Sequence, residues 1–252
     1  MSMTTEGTER LRCVYRFQQS RTMAIIRMVE DLDGIRGRLE DDCVALEKLA
    51  VQLQEGTNRS RLVMRRVEKK RSQHEGKEPD DGDIHFLSAA RKGSLLRSFY
   101  DLHDTASLAA DTLYRFAGQL RYAGDLLGLT SFTIKHFLWR ERLTMALIHG
   151  NADESGAGGT GIDGGTVCLS DPWYEGKGMK RYSHLSAWRE SGELHSRFYD
   201  ELTRIAERGV RNMSVSELTE ALVYLERLGE RLTGATGEVQ RHVELLMDAV
   251  PE

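Results

Sequence analysis

Proline is scarce in this chain, and the positions of the few prolines limit where helices can be interrupted. Only three of the 252 residues are proline, and Pro79, Pro172 and Pro251 lie in polar connecting stretches or one residue from the end. Because proline breaks the interior of a helix, these positions leave room for long uninterrupted helices. Aromatic residues make up 7% of the chain and charged residues 29%, which is typical of helices with a narrow apolar stripe and a wide polar surface.

The chain also has few cysteines, no long apolar run and no net positive charge. Cys13, Cys43 and Cys168 are odd in number and far apart, which favours reduced thiols over a disulfide framework or a zinc site. No apolar run approaches the roughly 20 residues that a membrane-spanning helix needs. The net charge of −4 argues against a chain devoted to nucleic acid. We therefore expect an intracellular, cytoplasmic protein.

One segment keeps a second compartment open. Residues 10–29 contain five arginines and no acidic residue, with apolar residues interspersed. A mitochondrial transit peptide has this composition. The basic first turns of a long helix have it too, and here the apolar pattern continues without a break into the residues that follow. The sequence leaves both interpretations open.

Apolar residues recur at regular spacing along the chain and form three stripes. The first stripe repeats every seven residues, and the other two run in steps of three and four, which predicts helices that pack on other helices. A lone helix with an apolar stripe is barely stable in water, so the stripes must be covered by each other, by copies or by another protein. The residues that we predict to form partner interfaces are Ile25, Leu32, Leu39, Leu46, Leu53, Phe99, Leu113, Phe116, Leu120, Leu225, Leu228, Leu232 and Leu246.

The stripes also predict where helices begin and end. The first stripe predicts one helix over residues 9–73. The second is interrupted at "LGLTS", where Gly128 is a candidate C-cap and Thr130 or Ser131 a candidate N-cap of a further helix. The third opens with a capping box formed by Ser214 and Glu217.

These elements predict an all-α, elongated, coiled-coil-like bundle of about five helices. We divide it into a long N-terminal helix with a helical hairpin over 1–149, a glycine-rich flexible linker over 150–182, and a C-terminal helical hairpin over 183–252 that packs on the bundle.

The linker contains the spacing G-x-G-x-x-G at Gly159, Gly161 and Gly164. A dinucleotide-binding turn needs a buried strand before it and a helix directly after it, and neither flank fits, so we interpret the stretch as a flexible connection. Trp173 and Tyr174, at its end, are too apolar for a free linker. They either pin the segment onto the bundle or form an exposed anchor for a partner.

Recognisable chemistry is absent from the sequence. It has no Glu-x-x-His pair of the kind that carboxylate-bridged metal sites in bundles use, and no phosphate-binding G-K-[ST]. We predict no catalytic, cofactor-binding or metal-binding residue and no small-molecule substrate. A helical enzyme with a site around His136, Trp139 and the Trp173 loop is the third hypothesis for function.

A basic segment follows an acidic one in the first helix. Residues 30–55 carry eight acidic residues against three basic ones, whereas 58–77 carry eight basic residues against two acidic ones. The basic segment is either a solvated helix end or a patch for anionic lipid or an acidic protein. Its candidate residues are Arg59, Arg61, Arg65, Arg66, Lys69, Lys70 and Arg71.

The apolar stripes extend over much of the chain, whereas the sequence shows no site with recognisable chemistry. This favours a structural function. We expect a non-catalytic scaffolding subunit that contributes helices to a homo- or hetero-oligomeric protein assembly, in a tethering or cytoskeletal role. Three long helices also resemble, in architecture, the membrane-binding dimers called BAR domains. That resemblance implies the alternative, a membrane-surface module that uses the basic segments 10–29 and 58–77.

Overall fold

The fold is all-α, as the sequence predicts. A computed structural model describes the backbone of residues 5–74, 89–149, 172–209 and 212–249, and the side chains in these ranges except at 5–12, 15, 16, 19, 70–74, 89–92, 142–149 and 206. The described elements form a helical bundle: α1 (Thr5–His74), α2 (Ala89–His149), a π-helical turn (Tyr174–Gly178), α3 (Met179–Tyr182), α4 (Ser186–Arg208) and α5 (Val215–Asp248).

The predicted linker over 150–182 is partly corrected. Its first part, 150–171, lies outside the described residues, and with it the glycines of the G-x-G-x-x-G spacing and Cys168. Residues 172–182, which include the predicted Trp/Tyr anchor, form the π-helical turn and α3 rather than a flexible linker. This part of the chain is held by buried contacts that are described below.

The chain forms two compact units. One, the helical-core unit, joins Met1–Arg38 to Tyr122–Ala249, and the other, the helix-pair unit, joins Leu39–Arg121 to Val250–Glu252. Each of the two long helices passes from one unit into the other, so the units do not follow the three consecutive segments into which we divided the sequence.

The predicted break at Gly128 does not exist, because α2 continues through it to His149. A Cβ atom at position 128 would lie 2.4 Å from the indole ring of Trp173. This glycine therefore serves a close approach between a helix and an aromatic side chain rather than a helix end.

Within the helical-core unit, α4 and α5 form an antiparallel hairpin. The predicted capping box is present, because the Ser214 side chain accepts from the Glu217 amide while the Glu217 carboxylate accepts from the Ser214 amide. Gly209 ends the preceding helix with φ at +75°. The buried core between the two helices is formed by Leu194, Phe198, Leu202, Ile205, Ala221, Leu225, Leu228, Leu232 and Ala235.

This core corrects part of the predicted partner interface. Leu225, Leu228 and Leu232 are between 2% and 5% exposed, because α4 of the same chain covers them. They are internal contacts. Leu246, at the far end of the stripe, is half-buried against a second core cluster around Trp173 and Trp188.

In the helix-pair unit, α1 and α2 run antiparallel. Cys43 Sγ lies 3.2 Å from the Ala117 carbonyl oxygen, and the Tyr100 hydroxyl donates to Glu68 at 2.5 Å, so early residues of α1 meet late residues of α2. On each helix the most buried residues repeat every seven positions and are mostly small, which lets the two backbones come close. This buried line consists of Cys43, Ala50, Thr57 and Met64 on α1 and of Ala110 and Ala117 on α2.

Candidate interaction surface

One edge of the helix-pair unit is polar. Glu47 forms an ion pair with Arg121, and Glu68 accepts from the Tyr100 hydroxyl. The buried line recurs every seven residues along each helix. Each of these four residues comes four positions after a member of that seven-residue series, so all four lie on the same side of their helices. In an antiparallel pair of helices, equal offsets from the contact line fall on the same side of the pair. Both links therefore close one edge.

The opposite edge is apolar and exposed. Each of its residues comes either one position before or three positions after a member of the seven-residue series of the buried line. This places it on the side away from the polar edge. We call this set the apolar face, and its members are between 47% and 62% exposed: Leu49, Val63 and Val67 of α1, and Leu95, Phe99, Leu102 and Phe116 of α2.

Charge is excluded from this side of α2. The stretch 95–121 contains six Asp, Glu, Lys or Arg residues, and all six lie at other positions of the seven-residue repeat. Depletion of charge distinguishes the centre of a protein interface from ordinary surface. The uncharged positions on this side are Leu95, Ser98, Phe99, Leu102, Thr105, Ala106, Ala109, Thr112, Leu113, Phe116, Gln119 and Leu120.

Summed over its seven members, the apolar face offers a large apolar area to a partner. Seven side chains of this size, each about half exposed, leave roughly 700 Å² accessible to water. The largest apolar patch on a typical monomer covers about 300–600 Å² and is itself often functional. The face therefore has the area and the composition of an interaction surface.

The predicted interface residues fall into three environments. Phe99 and Phe116 belong to the apolar face, whereas the core of the α4–α5 hairpin contains the three leucines corrected above. The others are half-buried: Leu246 on α5, and Ile25, Leu32, Leu39, Leu46, Leu53, Leu113 and Leu120 on the long helices.

The prediction missed Leu49 and Val63 on α1. They belong to a second seven-residue line, with Met28 and Ile35 as its earlier members. That line is the signal from which the apolar face was predictable, but the neighbouring leucine line is more regular and obscures it.

A buried carboxylate holds the segment that follows the glycine-rich stretch. Asp125 of α2 is 1% exposed. Its two oxygens accept from Arg181 Nη1 at 2.5 and 2.6 Å, and the carboxylate also accepts from the Tyr182 hydroxyl at 2.6 Å and from Trp173 Nε1 at 3.2 Å. Burial and the bond to Asp125 raise the pKa of Tyr182. All these donors come from residues 173–182, so the carboxylate fixes that segment on α2.

Trp173 and Tyr174 occupy this interior. Trp173 is 1% exposed, and the half-buried Tyr174 ring stacks between Phe132 and Trp188 at centroid distances of 4.3 and 4.4 Å. Of the two alternatives, this geometry matches a pin that holds the segment onto the bundle. The exposed anchor is corrected for Trp173, because its own chain covers the indole.

Two histidines meet in the same aromatic core. His136 and His195 are 5% and 3% exposed, with ring centroids 5.5 Å apart. Burial, with smaller contributions from His195 and Arg140, lowers the pKa of His136 to about 3, and burial also lowers the pKa of His195. Both imidazoles are therefore neutral at physiological pH.

The residues named in the enzyme hypothesis are divided between two groups. His136 lies beside Trp139, at a centroid distance of 6.0 Å, whereas Trp173 belongs to the Asp125 cluster. Among the residues that the structure describes, no group of three His, Cys, Asp or Glu side chains is placed to hold a metal ion.

The basic segment is exposed where its side chains are described. Arg59, Arg61, Arg65, Arg66 and Lys69 all face water, and Arg59 lies 3.8 Å from Glu55 in an exposed ion pair. Of the other predicted members, the side chains of Lys70 and Arg71 and all of residues 75–77 lie outside the description.

No protein-family model, curated protein or solved structure matches this chain. Over the described residues, no helix combines the length and the apolar character needed to cross a membrane.

Proposed function

We propose that this chain is a non-catalytic structural subunit that contributes helices to a larger protein assembly, in a tethering or organising role. The observation that carries the proposal is the apolar face of the helix-pair unit. Covering it with helices of a partner would bury seven large side chains that the chain itself leaves half exposed.

The composition of the face supports a protein partner. The side of α2 that carries the face is uncharged and includes two phenylalanines and several leucines, and this matches the centre of protein interfaces, where aromatic residues are enriched and charged ones depleted. The polar links Glu47–Arg121 and Glu68–Tyr100 close the opposite edge, so the helix pair has one side suited to packing and one suited to water.

The proposal is tested by measuring whether the face is covered in the native cell. In a chain with Cys13 and Cys168 replaced by serine, Phe116→Cys places a single thiol on the face, while the remaining Cys43 is buried. We expect maleimide to label the thiol introduced at position 116 at least about tenfold more slowly in native extract than in dilute purified protein, because a hot-spot position is excluded from solvent.

Asp111→Cys supplies the matched control. Asp111 is exposed and lies five residues before Phe116 on the same helix, at a position off the face, so its thiol should react at the same rate in both samples. Labelling of the Phe116→Cys variant in native extract as fast as that of the Asp111→Cys variant would refute an assembly role for this surface.

The exposed basic segment favours a second candidate, attachment to an anionic surface. Arg59, Arg61, Arg65, Arg66 and Lys69 concentrate positive charge on one stretch of α1, and each such residue near an anionic membrane contributes about 1 kcal/mol of attraction.

Co-sedimentation with vesicles of 30% phosphatidylserine and 70% phosphatidylcholine tests this candidate. The variant Arg65→Gln/Arg66→Gln should lose about tenfold or more in binding, and the parent should be released by 0.5 M salt. Arg227→Gln/Arg241→Gln, on the exposed side of α5, is the control that keeps the parent's affinity. Binding that is indifferent to salt, or equal in the two variants, would exclude the segment as a membrane contact.

A further inference from the structure

We infer that the partner covering the apolar face is a second copy of this chain. The two helix pairs meet face to face, with α1 antiparallel to its copy, and a two-fold axis passes near Gly56 and Ala109. This inference rests on the proposed assembly function and deepens it by naming the occupant of the face.

The line of α1 that borders the face is symmetric about Gly56. At seven-residue spacing the sequence reads Asp42, Leu49, Gly56, Val63 and Lys70, that is acidic, large, small, large and basic. A two-fold rotation at Gly56 places Leu49 of one copy against Val63 of the other. It also brings position 42 of each copy opposite position 70 of the other, where the sequence has residues of opposite charge.

α2 repeats this pattern at the same level of the helix pair. The contacts of Cys43 with Ala117 and of Glu68 with Tyr100 place Gly56 level with the region of Ala109. On α2 the exposed Leu102 and Phe116 lie seven residues to either side of Ala109. One axis therefore relates Leu49 to Val63 and Leu102 to Phe116 of the other copy, so that each contact is made twice, as in a contact between identical surfaces. Val67, Leu95 and Phe99 lie outside these pairs.

No contact within the chain itself requires a glycine at position 56. It lies in the interior of α1, where glycine costs about 1 kcal/mol relative to alanine. A Cβ atom there would meet no other atom within 4 Å, as at Gly118 and Gly124, so the chain itself leaves space beside Gly56. A helix from the second copy that crosses at Gly56 supplies the close approach that a glycine permits.

The area of the face suits a stable dimer. Two copies of a face of roughly 700 Å² bury about 1,400 Å² when they meet, which lies within the standard range of about 1,600 ± 400 Å² for specific protein interfaces.

The first experiment measures the molar mass of the purified full chain by light scattering, with sedimentation equilibrium for the affinity. We expect a dimer. Phe116→Lys should weaken self-association at least about 30-fold, as loss of a hot-spot side chain does. Leu108→Lys is the matched control: Leu108 is 65% exposed on the same helix but lies off the face, so this variant should dimerise like the parent.

The second experiment tests the orientation of the two copies. In the background with Cys13 and Cys168 replaced by serine, chains carrying Leu49→Cys are mixed with chains carrying Val63→Cys and oxidised. We expect the mixed 49–63 disulfide between copies and little 49–49 or 63–63 product. In the same way, Asp42→Lys should weaken the dimer and Asp42→Lys/Lys70→Asp should restore it.

Several results overturn the inference: a monomeric parent at 50–100 μM, a stoichiometry other than two, a dimer that Phe116→Lys leaves intact, or 49–49 disulfides as the main product. If the parent is monomeric but the thiol of the Phe116→Cys variant is nevertheless protected in native extract, the face belongs to a different protein and the proposed function stands. If the parent is monomeric and that thiol is labelled freely in extract, both proposals fail.

Discussion

The buried histidine pair makes the stability of the helical-core unit depend on pH in a calculable way. His136 has a pKa of about 3 in the folded chain, against about 6.5 in an unfolded one. A histidine whose folded pKa is lowered binds its proton more readily when unfolded, so protonation favours the unfolded state. Stability is therefore complete above about pH 6.5 and falls as the pH drops toward 3.

The size of the loss follows from the two pKa values. Relative to pH 7.5, His136 alone lowers the free energy of unfolding by about 2 kcal/mol at pH 5 and by about 3 kcal/mol at pH 4. His195 acts in the same direction, because burial lowers its pKa too. Its ring lies beside His136, so a proton on one imidazole opposes a proton on the other.

Urea unfolding at pH 7.5, 6 and 5, followed by tryptophan fluorescence, measures this loss of stability in the helical-core unit. All three tryptophans, Trp139, Trp173 and Trp188, lie in the helical-core unit. His136→Leu should reduce the change in unfolding free energy between pH 7.5 and pH 5 by about 2 kcal/mol. His184→Gln, at an exposed position, should leave that change as in the parent. If His136→Leu also leaves it unaltered, the imidazole is not held neutral by burial.

Two further predictions concern the segment held on α2, and both use the same fluorescence assay. Gly128→Ala places a Cβ atom 2.4 Å from the Trp173 ring and should destabilise by about 1–3 kcal/mol, whereas Gly124→Ala, where a Cβ meets no atom within 4 Å, should stabilise by up to about 1 kcal/mol. Asp125→Asn breaks a buried ion pair and should cost about 3 kcal/mol, while Glu190→Gln breaks an exposed pair and should change stability by less than about 0.5 kcal/mol. Equal effects within either pair of variants would contradict the described packing.

The fold class was predictable because hydrophobic periodicity and the position of proline are local signals. The first helix was predicted over 9–73 and spans Thr5–His74, and the capping box at Ser214 is present. The error at Gly128 has a different origin. A glycine that ends a helix and a glycine that receives an aromatic ring from a distant segment look the same in the sequence, and the ring belongs to Trp173, 45 residues further along.

The apolar face was only half predictable. The sequence marks Phe99 and Phe116 as members of an apolar stripe, but it does not say which side of the stripe meets α1. The helices pair through Ala110 and Ala117, because small residues let backbones approach closely. A search for large apolar residues passes over such positions, and it cannot tell which large residues are left outside once the pair has formed.

The helix-pair unit leaves Phe99 and Phe116 exposed, and this is the strongest physical reason to expect a partner. In the helical-core unit, Trp173, Trp188 and Phe198 are at most 4% exposed, although Phe17 and Phe137 on the long helices are exposed. In the helix-pair unit, the buried line is made mostly of small residues, while Phe99 and Phe116 are more than half exposed. An isolated two-helix pair that keeps its phenylalanines in water forgoes most of the hydrophobic free energy available to it. Helices from a partner that cover this face would recover that free energy.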